Sequence, residues 1–302
     1  MTAPAAGHHR TTVAVGYDGS EAAQEAVRWA AEYAAAGNYK IRVIHAWVWP
    51  MFTKKLGPVR GVEGSGLRHS AEAILAEGVD VARTALAAAR TAAPAPATGN
   101  ATETGSGVEG VMETGLPAPV LRDAASDARL LVVSSRGLGG VLGHVAGSVC
   151  LDLAGSSPCP LMVIRRRRSA GEAPAPVVVG VDGTSRSSAA LAGAARLAGI
   201  LGATLQVVHI DKTHGRAPEG HGRHARHGQE LLDHALEEAR ILAPELSVSG
   251  VLREGHAASK ELLAAAADAE VLVIGTHNRE GGPGNTVTAV LNKARCNVLI
   301  TR

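Results

Sequence analysis

The 302 residues predict two tandem doubly wound α/β domains, each a parallel sheet covered by helices on both faces. Two observations carry this. The chain repeats itself: Val13-Ala-Val-Gly-Tyr-Asp18-Gly-Ser returns as Val178-Val-Gly-Val-Asp182-Gly-Thr-Ser, Val43-Ile-His45-Ala as Val207-Val-His209-Ile, and Ser157-Pro-Cys159-Pro as Ala294-Arg-Cys296-Asn. Within each copy, short continuous runs of Val, Ile and Leu alternate with longer amphipathic stretches, the pattern of strands buried on both faces and joined by right-handed helical crossovers.

In order, the first copy reads as strands at Thr12 to Tyr17, Ile41 to Trp47, Val108 to Glu113, Leu130 to Ser134 and Leu161 to Arg165. Helices are expected at Glu21 to Ala36, Ser70 to Arg90, Ala118 to Ala128 and Ser148 to Ala154. The second copy has strands at Val177 to Val181, Thr204 to Ile210, Ser247 to Leu252, Glu270 to Gly275 and Asn297 to Thr301, with helices between. His45 and His209 stand 164 residues apart, Gly115 and Gly255 140, and Cys159 and Cys296 137, so the second copy is the shorter. The domains fall at 1–168 and 177–302, joined by a Pro/Ala linker at 169–176.

Composition removes several functions. A net charge of +2 gives no electrostatic case for nucleic acid, and at 2% aromatic residues stacking platforms for bases are scarce. Residues 1–10 lack the apolar core of a signal peptide, and no run approaches the roughly 20 apolar residues of a membrane span, so a cytoplasmic protein without membrane contact is expected. Cys150, Cys159 and Cys296 read as small buried thiols. Arg165 to Arg168 reads as part of a solvated linker, and His214, His221, His224 and His227 as a mobile loop in preference to a metal site. The long loop from Pro50 to His69, with Met51, Phe52, Lys54 and Lys55, is placed to fold over a ligand or a partner.

In open parallel sheets ligands bind outside the carboxyl ends of the strands. There the first copy places Asp18-Gly19-Ser20, Ala46 and Trp47, Gly115-Leu116-Pro117, and the loop Ser134-Ser135-Arg136-Gly137, followed after nine residues by Gly147-Ser148 at a helix start. Backbone amides beside a helix N-terminus bind polyanions without any lysine. Taken singly, Asp18 and Ser20 could be helix caps and Gly115 a turn; taken together with the spaced glycine loop they read as a phosphate-binding rim.

The pattern G(x2)G(x9)G[ST] after the fourth strand, with an aspartate ending the first, resembles the universal stress protein family in its two-domain form, over nearly the whole chain. The resemblance implies Rossmann-like, adenine nucleotide alpha hydrolase-like domains of strand order 3-2-1-4-5, association of the two domains through their last strands, and ATP at this rim, magnesium with it. It further implies regulatory work under stress, an unidentified protein partner and a homodimer. By the same resemblance Asp18 contacts the adenosine beside Gly16 and Tyr17, Ala46 lines the adenine pocket, and Gly115 lies near the ribose. Arg136 and Gly137 wrap the phosphates from one side, and Gly147, Ser148 and Val149 from the other. Ser134 stands where the family's first glycine belongs, which carries a strain cost if that position needs a positive φ.

The second copy keeps Asp182 and Gly275, but Asn278 replaces a glycine, and Gly284-Asn285 stand where the first copy has Gly147-Ser148. Its connecting arm spans residues 279–283 where the first spans 138–146, four fewer, or roughly 13 Å of extended chain. A degenerate second site is expected, against the alternative that Gly281, Gly282 and Gly284 rebuild a tighter nest. Neither GxxxxGK[ST] nor an SGGxDS-like loop occurs, so the chain reads as a nucleotide-binding regulator and not a metabolic enzyme. Weak ATPase activity or autophosphorylation at Ser148, and a scaffold that binds no nucleotide, are the competing classes.

Overall fold

The computed structural model describes residues 10–47, 65–92, 107–137, 146–166, 174–211, 221–255, 257–276 and 282–302. The first domain runs β1 (Thr12–Gly16), α1 (Glu21–Gly37), β2 (Lys40–Trp47), α2 (Ser65–Ala92), β3 (Val108–Thr114), α3 (Pro117–Ala124), β4 (Leu130–Ser134), α4 (Ser148–Ser156) and β5 (Leu161–Ile164). The second repeats it as β6 (Val177–Val181), α5 (Ser185–Leu201), β7 (Leu205–Asp211), α6 (His221–Leu242), β8 (Val248–Glu254), α7 (Ala258–Ala265), β9 (Val271–Gly275), α8 (Asn285–Lys293) and β10 (Asn297–Thr301).

Each half has the order 3-2-1-4-5, and the halves join into one ten-stranded sheet, β3-β2-β1-β4-β5-β10-β9-β6-β7-β8. All pairs are parallel except the central one, where β5 and β10 run antiparallel with Val163 opposite Val298. The last strands pair as the family resemblance implied, which removes one edge from each five-stranded sheet and leaves β3 and β8 outermost.

Apolar runs are continuous because alternate residues serve different cores. Val13, Val15 and Val132 face the layer holding α1 and α2, while Ala14, Leu131 and Val133 face Leu121, Cys150 and Leu153 of α3 and α4. The second domain divides in the same way, Val177 and Val179 facing one layer and Val178 the other.

Local chemistry sets the element ends. Ser20 caps α1 by accepting the Ala23 N–H at 3.1 Å, and Asn38 stops it in the left-handed conformation at φ 52°. Helix α3 ends at Ala124 rather than at Ala128, because the chain turns where Ser126 N–H reaches the Asp123 carbonyl. Helix α2 starts five residues before the expected Ser70. His221 to His227, expected as loop, form the first turns of α6, since extending a helix already anchored by Leu232, Ala235 and Ala239 costs little per added residue. His214, Asn278, and residues 50–64 of the Pro50-to-His69 loop lie outside the described residues.

The basic run is not simply solvated. Arg165 is partly buried, its guanidinium donating to the Leu291 carbonyl of the other domain, and burial holds that guanidinium below its ordinary range. The backbone amides of Arg165 and Arg166 both donate to Asn297 Oδ1, at 2.8 and 3.2 Å. Asn297 is fully buried in the seam between the two halves.

Candidate functional site

Strand order reverses beside β1, which pairs with β2 on one side and β4 on the other, and the carboxyl ends of β1 and β4 open a crevice of about 520 Å³. That volume is within the roughly 300–1,000 Å³ of small-molecule sites. Ten of the eleven first-domain residues expected at the rim line it: Gly16, Tyr17, Asp18, Ala46, Ser134, Arg136, Gly137, Gly147, Ser148 and Val149. Gly115 does not. It belongs to a neighbouring groove with Leu116 and Asp123, because α3 turns in over the crevice and presents Pro117 and Leu121 instead.

Asp18 does two things. Its Oδ1 accepts from the Ser20 N–H at 3.0 Å and the Ser20 hydroxyl at 2.6 Å, completing the cap of α1. Its Oδ2 lies against Gly137, where an added Cβ would collide with it. Between Asp18 and Ser20, Gly19 takes φ +83°, a value that a side chain makes costly. The repeated histidine has a role that the sequence did not reveal: His45, buried, uses Nδ1 at 2.8 Å on the Tyr17 carbonyl, and His209 repeats this on Val181 at 2.9 Å. Because a carbonyl only accepts, Nδ1 carries the proton, and the bond fixes the backbone that aims each aspartate. Tyr17 packs its ring on Gly78 of α2, in the opposite layer, so its main chain is what it offers the crevice.

The two arms expected to hold phosphate are built from backbone. Asn38 is the only described non-glycine residue with positive φ, so Ser134 carries none of the strain considered for it. Its hydroxyl instead donates to the Arg136 carbonyl at 2.6 Å and tightens the turn that delivers Gly137. Opposite, Gly147 is the extended N-cap of α4 at φ −65° and ψ 157°, with no side chain capping the helix. Leu151 is the first residue to bond back, to the Gly147 carbonyl, so the amides of Ser148, Val149 and Cys150 have no intrahelical partner. Bare N–H groups and the positive helix end thus point at the crevice. Residues 138–145, between the arms, lie outside the described residues.

One wall is apolar, formed by Ile44, Val133, Leu121 and Pro117. Strand alternation carried a signal for Ile44 and Val133, since both face α3. No local signal existed for Leu121, whose place depends on how α3 crosses the sheet. Cys150 also lines the crevice but donates its thiol to the Ser134 carbonyl at 3.1 Å, and burial pushes its pKa up to about 12, so it is no nucleophile. Cys159 and Cys296 are likewise buried free thiols.

The second crevice gathers Asp182, Gly275, Gly284 and Asn285 as expected, but its volume is about 250 Å³. Gly284 caps α8 as Gly147 caps α4, again with no side-chain bond. The Asp182 carboxylate is engaged locally too, its Oδ1 accepting from the Thr184 amide and hydroxyl and, at 2.5 Å, from the Ser187 hydroxyl. Arg186 narrows the opening where the first copy has Ala22. Among the described residues no His, Cys, Asp and Glu cluster could hold a metal. Among them, too, no helix is long and apolar enough to cross a membrane.

A parallel sheet with a bare helix N-terminus, a glycine turn and a carboxylate around one cleft defines a protein built like the small-molecule-binding doubly wound domains. The universal stress protein family profile matches the chain twice, over residues 9–165 and 175–302, and the chain belongs to that family. It is 28% identical over 299 residues to universal stress proteins of Mycobacterium bovis and Mycobacterium tuberculosis, covering 96% of each chain. In fold it is similar to a universal stress protein of Archaeoglobus fulgidus, at TM-score 0.66 and 17% identity over 97% of this chain and 96% of that one. A Pseudomonas aeruginosa protein of unknown function aligns at TM-score 0.62 and 16% identity, covering 96% and 92%.

Proposed function

We propose that the first domain binds ATP and that the protein works as a stress-response regulator whose nucleotide occupancy sets domain geometry or the affinity for a protein partner. The observation that carries this reading is the pairing of Asp18 with the uncapped α4 N-terminus across one crevice of about 520 Å³. Ribose hydroxyls would donate to the carboxylate, the base would lie on Ile44 and Val133, and the phosphates would accept from amides around Gly137 and Ser148. Arg136, exposed at the rim, adds a positive charge. Magnesium would arrive with the phosphates, Asp18 being the only carboxylate among the described lining residues.

Catalysis is not part of the proposal beyond slow hydrolysis or autophosphorylation. No lysine, histidine or glutamate lines the described crevice, and Asp18 Oδ1 is already held by the Ser20 amide and hydroxyl, so no general base other than that carboxylate stands beside Ser148 among the described residues that line it. The second crevice, at about half the volume, is proposed to stay empty of ATP. Equilibrium titration of the purified chain with ATP tests both points: saturation at one equivalent is expected. No binding at millimolar ATP would overturn the nucleotide reading in favour of a scaffold, and saturation at two would overturn the asymmetry.

A further inference from the structure

We infer that Asn292, a residue of the second domain, is a positioning residue for the phosphate arm of the first. Its Oδ1 accepts the backbone N–H of Ala146 at 3.3 Å across the seam. Ala146 is buried, lines the crevice and immediately precedes Gly147 and Ser148, so the residue that delivers the bare helix end is held from outside its own domain. Within its own domain that turn is fixed by the Gly147 N–H on the Ser135 carbonyl at 3.1 Å.

The brace works in one direction only. The antiparallel β5–β10 pair relates the halves approximately as a twofold axis would, and residues 137 apart correspond at this end of each copy. Ala146 therefore answers to Pro283, and Asn292 to Gly155. Both replacements abolish the bond: proline has no N–H to give, and glycine has no side chain to receive one. What remains there is close packing, since a Cβ on Gly155 would lie 2.7 Å from Gly282 Cα and 3.1 Å from Pro283 N. The first arm is tethered to the second domain, and the second arm merely leans on the first.

Helix α8 makes this a link between the two crevices. Its first residue, Asn285, lines the second crevice, and Asn292 lies near its other end, roughly 10 Å along a rigid helix. The Arg165 guanidinium on the Leu291 carbonyl and the Asn297 carboxamide on the Arg165 and Arg166 amides fix that end against β5. A shift of α8 would thus reach the first domain's phosphate arm through one hydrogen bond.

The inference rests on the nucleotide reading, and its test separates the two. In the full-length chain, Asn292→Ala is expected to weaken ATP binding about three- to tenfold, the range for one lost hydrogen bond. Adenosine, which lacks the phosphates, should bind within twofold of the wild type, whereas general damage to the domain would weaken both. In the nucleotide-free protein the same substitution should speed amide exchange in the peptide containing Ala146 to Leu151. Should the alanine variant fold poorly, Asn292→Asp, which keeps an acceptor oxygen, must retain exchange protection that Asn292→Leu, of similar size, loses. Unchanged exchange, or an equal loss for ATP and adenosine, overturns the brace; a wild type that binds no ATP overturns the nucleotide reading beneath it.

Discussion

Replacing Gly137 by alanine tests the phosphate turn with a single methyl group. Gly137 is exposed and has no positive φ, so its backbone accepts alanine and the fold is not at stake. The added Cβ, however, would collide with Asp18 Oδ2, and Asp18 cannot retreat freely because Ser20 holds Oδ1 with two hydrogen bonds. The turn has to move away by something on the order of 1 Å, which would break or lengthen the hydrogen bonds proposed from its amides to charged phosphate oxygens. Such bonds contribute about 1.5–3 kcal/mol each, so losing one lowers ATP affinity about 10- to 100-fold. Calorimetric titration reads this, with the thermal midpoint as a control expected to stay within 1–2 °C, about the shift for a few tenths of a kcal/mol. Removing the obstacle should undo part of the loss: in a double-mutant cycle, Gly137→Ala should cost less in an Asp18→Ala background. ATP affinity within twofold of wild type for Gly137→Ala would falsify the assignment of this turn to the phosphates.

Two further outcomes follow from buried groups. Asn297→Ala leaves two seam amides without their acceptor and should cost about 1–3 kcal/mol, read as a lower denaturant midpoint; an unchanged midpoint would show that the seam amides find other partners. Burial raises the Cys150 thiol from its ordinary 9.0 to about 12, and burial with Glu77 nearby raises the Tyr17 phenol from 10.0 to about 12. The folded state therefore holds protons that the unfolded chain releases, so this stability is complete below about pH 9 and is lost as pH rises toward 12. The urea midpoint should fall between about pH 9 and pH 12, and Cys150 should resist thiol reagents until urea is added; a flat midpoint or native labelling would contradict this.

Much of the candidate site's geometry was legible in the chain because its parts are local: glycine spacing, a strand end and a helix start are contiguous in sequence. Asp18, Gly137 and Gly147-Ser148 could be placed for that reason. Gly115 was misplaced and Leu121 missed because which face of a turn meets the crevice depends on the path of α3 over the sheet. His45 appeared in the repeat, yet its bond to the Tyr17 carbonyl crosses between strands and leaves no trace in spacing.

What the residues fixed by themselves is the duplicated α/β plan, since apolar runs buried on both faces admit few other arrangements, and the family resemblance that points to nucleotide. What tertiary structure decided is the antiparallel register of β5 on β10, the crevice volumes of about 520 and 250 Å³, and the reach of Asn292 to Ala146. Those outcomes depend on contacts between residues more than a hundred positions apart, and such contacts are set by the packing of whole layers, about which a local pattern carries no information.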